Sequence, residues 1–309
     1  MPFQSIKPPL SSAGFCLVVG MTFCHLLPGQ LPPSQLYRVN MKRDVSGNIR
    51  LSQLTWLSSH NPGGYNNHPH LPADSLLFFS SAAPGMAHPD IWRLHLRSGV
   101  LVPVTATAEG EYQSAMLPES YYLMVLRQEP RQSDTLQRIW QIPLDGGHQG
   151  SPRSLPGTKV GYFRILSPSE WITFELGESA GLWYRRSKEI TSSPITRNPG
   201  RCFRLGGQGD LIYLQRAGPG NQAFLYKTRA AWTPESPRIP LTEPLSGQED
   251  FALLRDGTIL MAADNKVFQF HPIRLPRWEM IADFSQYPIR NISRLETDPD
   301  ENYIVFVAR

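Results

Sequence analysis

The chain has 309 residues, with 30 lysines and arginines against 26 aspartates and glutamates, and a formal net charge of +4. This length suits one large domain, and the 29 prolines and 24 glycines, which are spread along the chain, argue against long helices. The basic residues form no cluster and match no recognition motif, so we expect no nucleic-acid partner.

Residues 1–30 are predicted to be a signal peptide. Lys7 precedes an apolar run from Ala13 to Leu27, which is too short to span a bilayer and resembles the hydrophobic region of an export signal. Cys24 follows a poor lipobox, so we expect no lipid anchor there. The remaining residues, 31–309, are predicted to form one exported domain, periplasmic or extracellular, without a transmembrane segment.

The stretch from Tyr65 to Thr105 contains four short segments that are rich in aliphatic and aromatic residues and are separated by Gly, Pro, Asp and Ser. Such segments predict an antiparallel meander of four strands. A single meander cannot bury its apolar faces, so the fold requires further copies.

Two ladders of residues show these copies. The second strand of each copy is predicted at Leu76–Phe78, Tyr122–Met124, Trp171–Thr173, Leu211–Tyr213, Ile259–Met261 and Tyr303–Val305. The third strand opens with an aliphatic and an aromatic residue at Ile91-Trp92, Ile139-Trp140, Leu182-Trp183, Leu225-Tyr226 and Val267-Phe268. Successive aromatic residues of this second ladder are 48, 43, 43 and 42 positions apart. Four strands in a repeat of this length are typical of a β-propeller blade.

The sixth copy begins near Asn291 and ends after two strands. The missing strands are predicted at the other end of the chain, at Leu36–Met41 and Ile49–Thr55, and Leu36-Tyr37 is a sixth aliphatic-aromatic pair. Joining the two ends leaves no open sheet edge in the ring. We therefore predict an all-β fold: a six-bladed propeller of four-stranded antiparallel blades, closed by N-terminal strands that complete the last blade.

Three histidines near the start of the first blade suggest a metal site. His68 and His70 are two residues apart and share a face of a strand, and His60 lies nearby in sequence. Two or three such side chains can ligate a transition metal. No acidic residue or cysteine accompanies them and the spacing matches no standard zinc pattern, so we expect hydrogen-bonding groups at a strand entry and no cofactor.

The strongest candidate for a functional site is one mouth of the central channel. The innermost strands of a propeller line its axis, so the segments that lead into them converge. The candidate ligand-binding residues are Tyr65, Asn67, His68, Glu111, Tyr112, Tyr162, Arg201, Glu249, Asp250, Asn291 and Arg294. A ring of carboxylates, guanidinium groups, phenols and amides suits a polar ligand or a peptide terminus.

Motifs for catalysis are missing from the sequence. The single G-x-S-x-G match, Gly177–Gly181, lies between two predicted strands, whereas a nucleophile elbow joins a strand to a helix. The sequence contains no H-E-x-x-H and no convincing phosphate-binding glycine loop. Glu111 and Asp250 would form an acid/base pair only if they met across the channel. Among the other residues, Cys202 is expected in the core of an inner strand, and Trp92, Trp140 and Trp183 are expected to pack between blades.

Several segments in order resemble the TolB-like, WD40-like propeller proteins exported by Bacteroidetes and related bacteria. They include Gly64–Pro69, Pro89-Asp90-Ile91-Trp92, Pro143–Gly147 and Arg255-Asp256-Gly257-Thr258. The resemblance runs from about residue 51 to the C-terminus. The usual S-P-D-G turns are replaced, for example by Leu71-Pro-Ala-Asp74.

The resemblance implies a binding platform, although a shared fold does not transfer an activity. The interpretation we favour is a non-catalytic platform for a protein, a peptide or a small polar ligand, and we expect it to be a monomer. The alternative is a carbohydrate-active hydrolase or lyase that uses the histidines with a metal, or the two carboxylates.

Overall fold

The computed structural model describes residues 31–130, 135–145, 150–152, 159–177, 180–186, 194–207, 209–217, 222–229 and 232–309. The predicted signal peptide lies outside these residues. Within these ranges all the regular elements are strands, and no helix is long and apolar enough to cross a membrane.

The described residues form 24 strands, which are arranged as six four-stranded antiparallel sheets. Their bounds are β1 (Gln35–Arg43), β2 (Ile49–Trp56), β3 (Tyr65–Ala73), β4 (Leu76–Ala82), β5 (Asp90–His95), β6 (Leu101–Pro103), β7 (Gly110–Met116), β8 (Tyr122–Pro130), β9 (Thr135–Pro143), β10 (Ser151–Pro152), β11 (Lys159–Ser167), β12 (Glu170–Leu176), β13 (Gly181–Arg186), β14 (Thr196–Arg197), β15 (Pro199–Leu205), β16 (Leu211–Ala217), β17 (Gln222–Thr228), β18 (Arg238–Thr242), β19 (Phe251–Leu253), β20 (Ile259–Ala263), β21 (Lys266–His271), β22 (Leu275–Asp283), β23 (Arg294–Thr297) and β24 (Tyr303–Ala308).

The two chain ends share one sheet, as the sequence predicted. Five blades each contain four consecutive strands, whereas the sixth has the order β2-β1-β24-β23. Leu36 and Tyr37 of β1 pair with Val307 and Phe306 of β24. The six-bladed ring and its closure by N-terminal strands are thereby confirmed.

Burial explains why the two ladders recur in every blade. The second strand of each blade packs against a neighbouring blade on both faces, so its central residues are mostly apolar and buried; all six residues of β24 are buried. The aliphatic residue of each aliphatic-aromatic pair, such as Ile91, is almost fully buried. Trp92 and Trp140 pack, half-buried, against clusters shared by two blades, and the ring of Trp183 lies 4.3 Å from the Arg185 guanidinium.

The innermost strands surround the axis in the order β3, β7, β11, β15, β19 and β23. Each contacts the next one around the ring, and β23 contacts β3. All of them run the same way along the axis, so their N-terminal ends meet at one mouth of the channel. Cys202 of β15 is buried, with its Sγ 3.3 Å from the Phe251 carbonyl oxygen, which confirms its predicted place in the core.

Candidate ligand-binding site at the channel mouth

A cavity of about 50 Å³ lies on the propeller axis. Its walls come from β3, β7, β11, β15 and β23 and from Asp250, the residue before β19, so every blade contributes. One water molecule needs roughly 10–15 Å³ of such space. The cavity therefore has room for a few waters or for one small chemical group.

The cavity has two layers of polar side chains, which follow the two-residue period of a strand. The upper layer, nearer the N-terminal ends of the inner strands, consists of His68, Tyr162, Arg201 and Arg294. The lower layer consists of His70, Arg164, Arg204 and Glu296. In β15 the two arginines are three residues apart, and the pairing of this strand shifts register between Pro199 and Phe203.

Arg294 is the centre of the upper layer. Its Nε donates to Asn67 Oδ1 at 2.8 Å, and its Nη2 donates to the Tyr162 hydroxyl at 3.2 Å. Its Nη1 lies 3.6 Å from Asp250 Oδ2. These contacts link the inner strands of blades one, three and six with the entry to blade five.

Arg201 stands at the rim with 63% of its side chain exposed. Its Nε donates to Glu249 Oε2 at 3.1 Å, and Glu249 also accepts a hydrogen bond from Arg216. Burial opposes the charge of the Glu249 carboxylate, but the two arginines outweigh it and lower its pKa. Glu249 is therefore an ionised clamp for two guanidinium groups.

The upper layer has an electropositive character that alters its other groups. Burial alone would raise the pKa of Tyr162, yet the charges of Arg294 and Arg201 outweigh it and lower that pKa. Burial lowers the pKa of His68 far below its usual range, and the same two arginines add to the effect. His68 is therefore neutral at pH 7.

His68 occupies a strained position. Its φ of 52° is rare for a residue other than glycine, and its backbone N–H donates to Asn67 Oδ1 at 2.8 Å. Its ring meets the edges of Tyr112 and Tyr162 at centroid distances of 6.1 and 6.3 Å. Its buried Nδ1 has no hydrogen-bond partner among the described residues. Strain combined with an unsatisfied polar atom is typical of functional sites.

The lower layer, by contrast, is an ion-pair network around Glu296. Nη2 of both Arg164 and Arg204 lies 3.3 Å from Glu296 Oε2, and Arg204 also donates to the Leu295 carbonyl oxygen at 3.1 Å. Burial opposes the charge of Glu296, but Arg164 and Arg204 outweigh it and lower its pKa. The result is a carboxylate clamped by two arginines.

His70 completes the lower layer as a neutral group. Its Nε2 accepts a hydrogen bond from the Met116 N–H at 3.0 Å, which ties blade one to blade two. Burial lowers the pKa of His70 to about 4, although the Glu296 charge opposes the shift. The proton of the neutral ring therefore sits on Nδ1.

Eight of the predicted site residues come together at this mouth, directly or through one hydrogen bond or ring contact; they are Asn67, His68, Tyr112, Tyr162, Arg201, Glu249, Asp250 and Arg294. Tyr65 is buried beside them, and burial raises the pKa of its phenol although the Arg294 charge opposes the shift. Most of these residues lie within the inner strands, not on the entry loops where the sequence was expected to place them.

Glu111 and Asn291 were wrongly placed at the mouth. The Glu111 carboxylate is fully buried away from the cavity, 2.7 Å from Arg127 Nη2 and 3.1 Å from the Thr107 hydroxyl. The residues of β7 that line the cavity are Gln113 and Ser114, and the pairing of this strand shifts register between Glu111 and Ser114. Asn291 is exposed in the turn before β23, with a φ of 49°, and does not line the cavity. Glu111 and Asp250 therefore do not meet across the channel.

The predicted histidine set is divided in the structure. His68 and His70 line the same cavity, whereas the ring of His60 packs 6.1 Å from that of Phe79. Within the described ranges, no group of three or more His, Cys, Asp or Glu residues is placed to hold a metal. Elemental analysis of the protein beside a His68→Ala/His70→Ala variant tests the metal hypothesis directly, since a stoichiometric metal lost in the variant would support it.

Apart from His70, sequence reasoning missed the lower layer. Arg164 and Glu296 lie two residues after the predicted Tyr162 and Arg294, and Arg204 lies three after Arg201. It also missed Gln113, whose amide exchanges hydrogen bonds of 2.6 and 3.0 Å with the backbone of Phe163 and so joins blades two and three. Applying the two-residue period of a strand to the predicted residues would have found Arg164 and Glu296.

No protein-family model and no curated protein matches this chain. Solved structures do match it in fold. A putative TolB from Agrobacterium tumefaciens gives a TM-score of 0.60 at 11% identity, over 90% of this chain and 98% of that one. TolB from Acinetobacter baumannii gives 0.55 at 10% identity over 88% of this chain, which spans only 63% of that structure. Regucalcin from Agrobacterium tumefaciens, described as a calcium-binding protein, gives 0.53 at 11% identity, over 79% and 89% of the two chains.

These identities are low enough that the similarity concerns the fold alone. The chain is thus a six-bladed propeller similar in structure to TolB, and its function has to be argued from its own site.

Proposed function

We propose that this propeller is a non-catalytic binding platform, which holds a protein, a peptide or a small polar ligand at the mouth of its channel. The observation that carries the proposal is His68, a strained residue with an unsatisfied buried nitrogen, in a polar cavity to which every blade contributes. Concave sites with a few convergent polar groups are where proteins commonly bind ligands.

The size of the cavity limits what enters it. About 50 Å³ admits one small group, so most of a larger ligand would rest on the rim. The rim offers the exposed Arg201 side chain and, beside His68, the Tyr112 ring. A ligand with one polar end and a body that covers the rim fits this arrangement.

The finer family assignment belongs to this proposal. The sequence resemblance to exported TolB-like, WD40-like proteins favours a propeller that works outside the cytoplasm. The proposed export signal, residues 1–30, has a simple test. Mass spectrometry of the protein recovered from its native cells should show an N-terminus near residue 31, and an intact Met1 would contradict export by cleavage.

Synthetic peptide pools test the platform function. Four fluorescein-labelled pools of random hexapeptides would cover the four combinations of a free or capped N-terminus with a free or capped C-terminus. Fluorescence anisotropy would measure the binding of each pool to the purified domain. We expect at least one pool to bind saturably. A photo-crosslinker in place of Tyr112 should capture that pool, whereas the same crosslinker in place of Tyr121, an exposed tyrosine in the turn that follows β7, should not.

Equal capture at both positions would contradict binding at the mouth. If no pool binds, a second set of small polar probes, namely free amino acids and monosaccharides, is tested by calorimetry. Failure of all these probes to bind would overturn the proposed platform.

A further inference from the structure

The channel contains more positive than negative charge. Among the described residues that line the cavity or hydrogen-bond to its lining, four are arginines and three are acidic; they are Arg164, Arg201, Arg204, Arg294, Glu249, Asp250 and Glu296. With both histidines neutral, the excess is one positive charge. All three carboxylates already contact arginines, so none is free for a cationic ligand.

The upper layer also has hydrogen-bond donors without acceptors. Nε of Arg201 is bound to Glu249, but its two terminal amino groups have no hydrogen-bond partner in the described part of the chain. The Tyr162 oxygen accepts from Arg294, which leaves its own proton available, and no acceptor for it lies among the described side chains. A neutral His68 adds a donor when its proton is on the unpartnered Nδ1.

We propose that the upper layer binds one compact oxyanion, a carboxylate or a phosphate group, between Arg201, Arg294, Tyr162 and His68. This inference deepens the proposed function, on which it rests, because it names the end of the ligand that enters the channel. Guanidinium groups match carboxylate and phosphate oxygens in geometry, and charge-assisted hydrogen bonds of this kind are among the strong ones.

The exposure of the two arginines suits such a site. Arg201, at the rim, can swing towards a ligand, whereas Arg294, 21% exposed, is fixed by Asn67, Tyr162 and Asp250. One arginine is therefore preorganised and the other closes over the anion. A cavity of about 50 Å³ accommodates the head group and excludes the rest of the ligand.

Small anions provide the test. Sodium acetate and inorganic phosphate would be titrated into the purified domain at constant ionic strength, with acetamide as the neutral match of acetate. Calorimetry and the ¹⁵Nε resonances of the arginine side chains would report binding. We expect saturable binding of at least one anion, with shifts at Arg201 and Arg294, and no effect of acetamide. The tighter of the two anions identifies the head group.

Variants sharpen the result. Arg201→Gln should weaken anion binding about tenfold or more, because it removes one charge-assisted contact. Arg201→Lys, which keeps the charge, should weaken anion binding less. Tyr162→Phe should also weaken anion binding, because it removes a hydrogen-bond donor without changing the charge of the site. The matched control is Arg97→Gln, which alters another exposed arginine paired with one carboxylate, that of Asp74, and should leave binding unchanged.

The outcomes separate this inference from the platform function. Peptide binding that is captured at Tyr112 but insensitive to Arg201→Gln and to added acetate would overturn the oxyanion site and leave the platform standing. Saturable anion binding with no binding of any peptide pool or other probe would support the oxyanion site and overturn the platform. Two charge-assisted contacts correspond to a dissociation constant of about 1 mM, so the titration would extend to about 20 times that concentration. Absence of anion binding up to that concentration would overturn the inference. Binding of acetamide as tight as that of acetate would also overturn it.

Discussion

The two layers of the channel are built from the same residue types but differ in how fully their charges are satisfied. In the lower layer, Glu296 is held by Arg164 and Arg204, and the Nε2 of His70 has its hydrogen bond. In the upper layer, Arg201 is largely exposed, and Nδ1 of His68 has no hydrogen-bond partner among the described residues. The lower layer therefore joins the blades together, whereas the upper layer is where we propose that a ligand binds.

Asp250 connects the two layers. Its carboxylate lies 3.6 Å from Arg294 and 3.9 Å from Arg204, and it accepts the Leu295 N–H at 2.9 Å. Because Asp250 precedes β19, it fixes blade five to blade six at the depth where the two layers meet. We thus assign ligand binding to the upper layer and stability to the lower one, and single substitutions in each layer test that separation.

The largest effect is expected from Glu296→Gln. The substitution removes the carboxylate that Arg164 and Arg204 share. These side chains are 23% and 16% exposed and Arg204 keeps Asp250 at 3.9 Å, so the cost should lie below the roughly 3–5 kcal/mol of a fully buried pair but above that of a surface pair. Urea unfolding would measure the loss in the free energy of unfolding. Glu170→Gln is the control, because Glu170 pairs with Arg186, which is 46% exposed, and such pairs contribute about 0–1 kcal/mol. Equal losses in the two variants would contradict the structural role of the lower layer.

The second prediction concerns acid sensitivity. The folded-state pKa of His70, about 4, lies below its ordinary value of 6.5, so the unfolded chain binds the proton more readily between these pH values. The contribution of the neutral His70 to the free energy of unfolding is therefore complete above pH 6.5 and is lost as the pH falls through 4. It amounts to about 3 kcal/mol at most, at 1.36 kcal/mol per pH unit.

His70→Gln should reduce the loss of stability between pH 7 and pH 4.5, measured by denaturant unfolding at each pH. The glutamine oxygen can still accept the Met116 N–H, so the native hydrogen bond has a replacement. His88→Gln, at an exposed histidine, is the control and should leave the pH dependence unchanged. An unchanged pH dependence in His70→Gln would show that His70 is not the group responsible.

Arg201→Gln should have a much smaller effect on stability. The side chain is 63% exposed and its ion pair with Glu249 is a rim contact, so the free energy of unfolding should change by less than about 1 kcal/mol. Thermal and urea unfolding would measure the change. A loss as large as that of Glu296→Gln would mean that the upper layer also supports the fold, against the division of roles.

The smallest effect is a change in the titration of Tyr162. Two guanidinium charges lower the pKa of its phenol against the opposing effect of burial, so Arg201→Gln should raise that pKa. NMR of ¹³Cζ-labelled tyrosine would follow the titration, with Tyr162→Phe to assign the resonance. Arg97→Gln should not move it, and an unchanged pKa in Arg201→Gln would show that Arg201 does not act on the phenol.

The blade pattern could be predicted from the sequence because each blade repeats the same burial. Ile91 and Leu225, for example, occupy equivalent positions of β5 and β17, and both are fully buried. The closure could be predicted for the same reason, since Leu36-Tyr37 repeats the pair and continues the ladder across the chain ends. Apolar burial at fixed spacing is a local property of the sequence, so it survives even where the turn residues differ.

The mouth was predicted only in part. Arg201 and Arg294 were found because they lie near the starts of inner strands, but Glu111 was misplaced because only the paired geometry of β7 shows which face it takes. Arg204 was missed because the register shift in β15 changes which residue of that strand faces the axis. Such shifts depend on strand pairing and leave no trace in the spacing of the residues.

The sequence by itself determined the class of fold, the number of blades, the joining of the two chain ends and the set of inner strands that carry polar residues. All of these follow from the period of apolar residues, which a chain must repeat wherever it repeats a buried strand. The tertiary structure alone decided that Glu296 is shared by Arg164 and Arg204, while Arg201 and His68 keep nitrogens at the mouth that have no partner in the described part of the chain. Those residues come from different blades, and only closure of the ring brings their charges close enough to satisfy one another or to leave an excess.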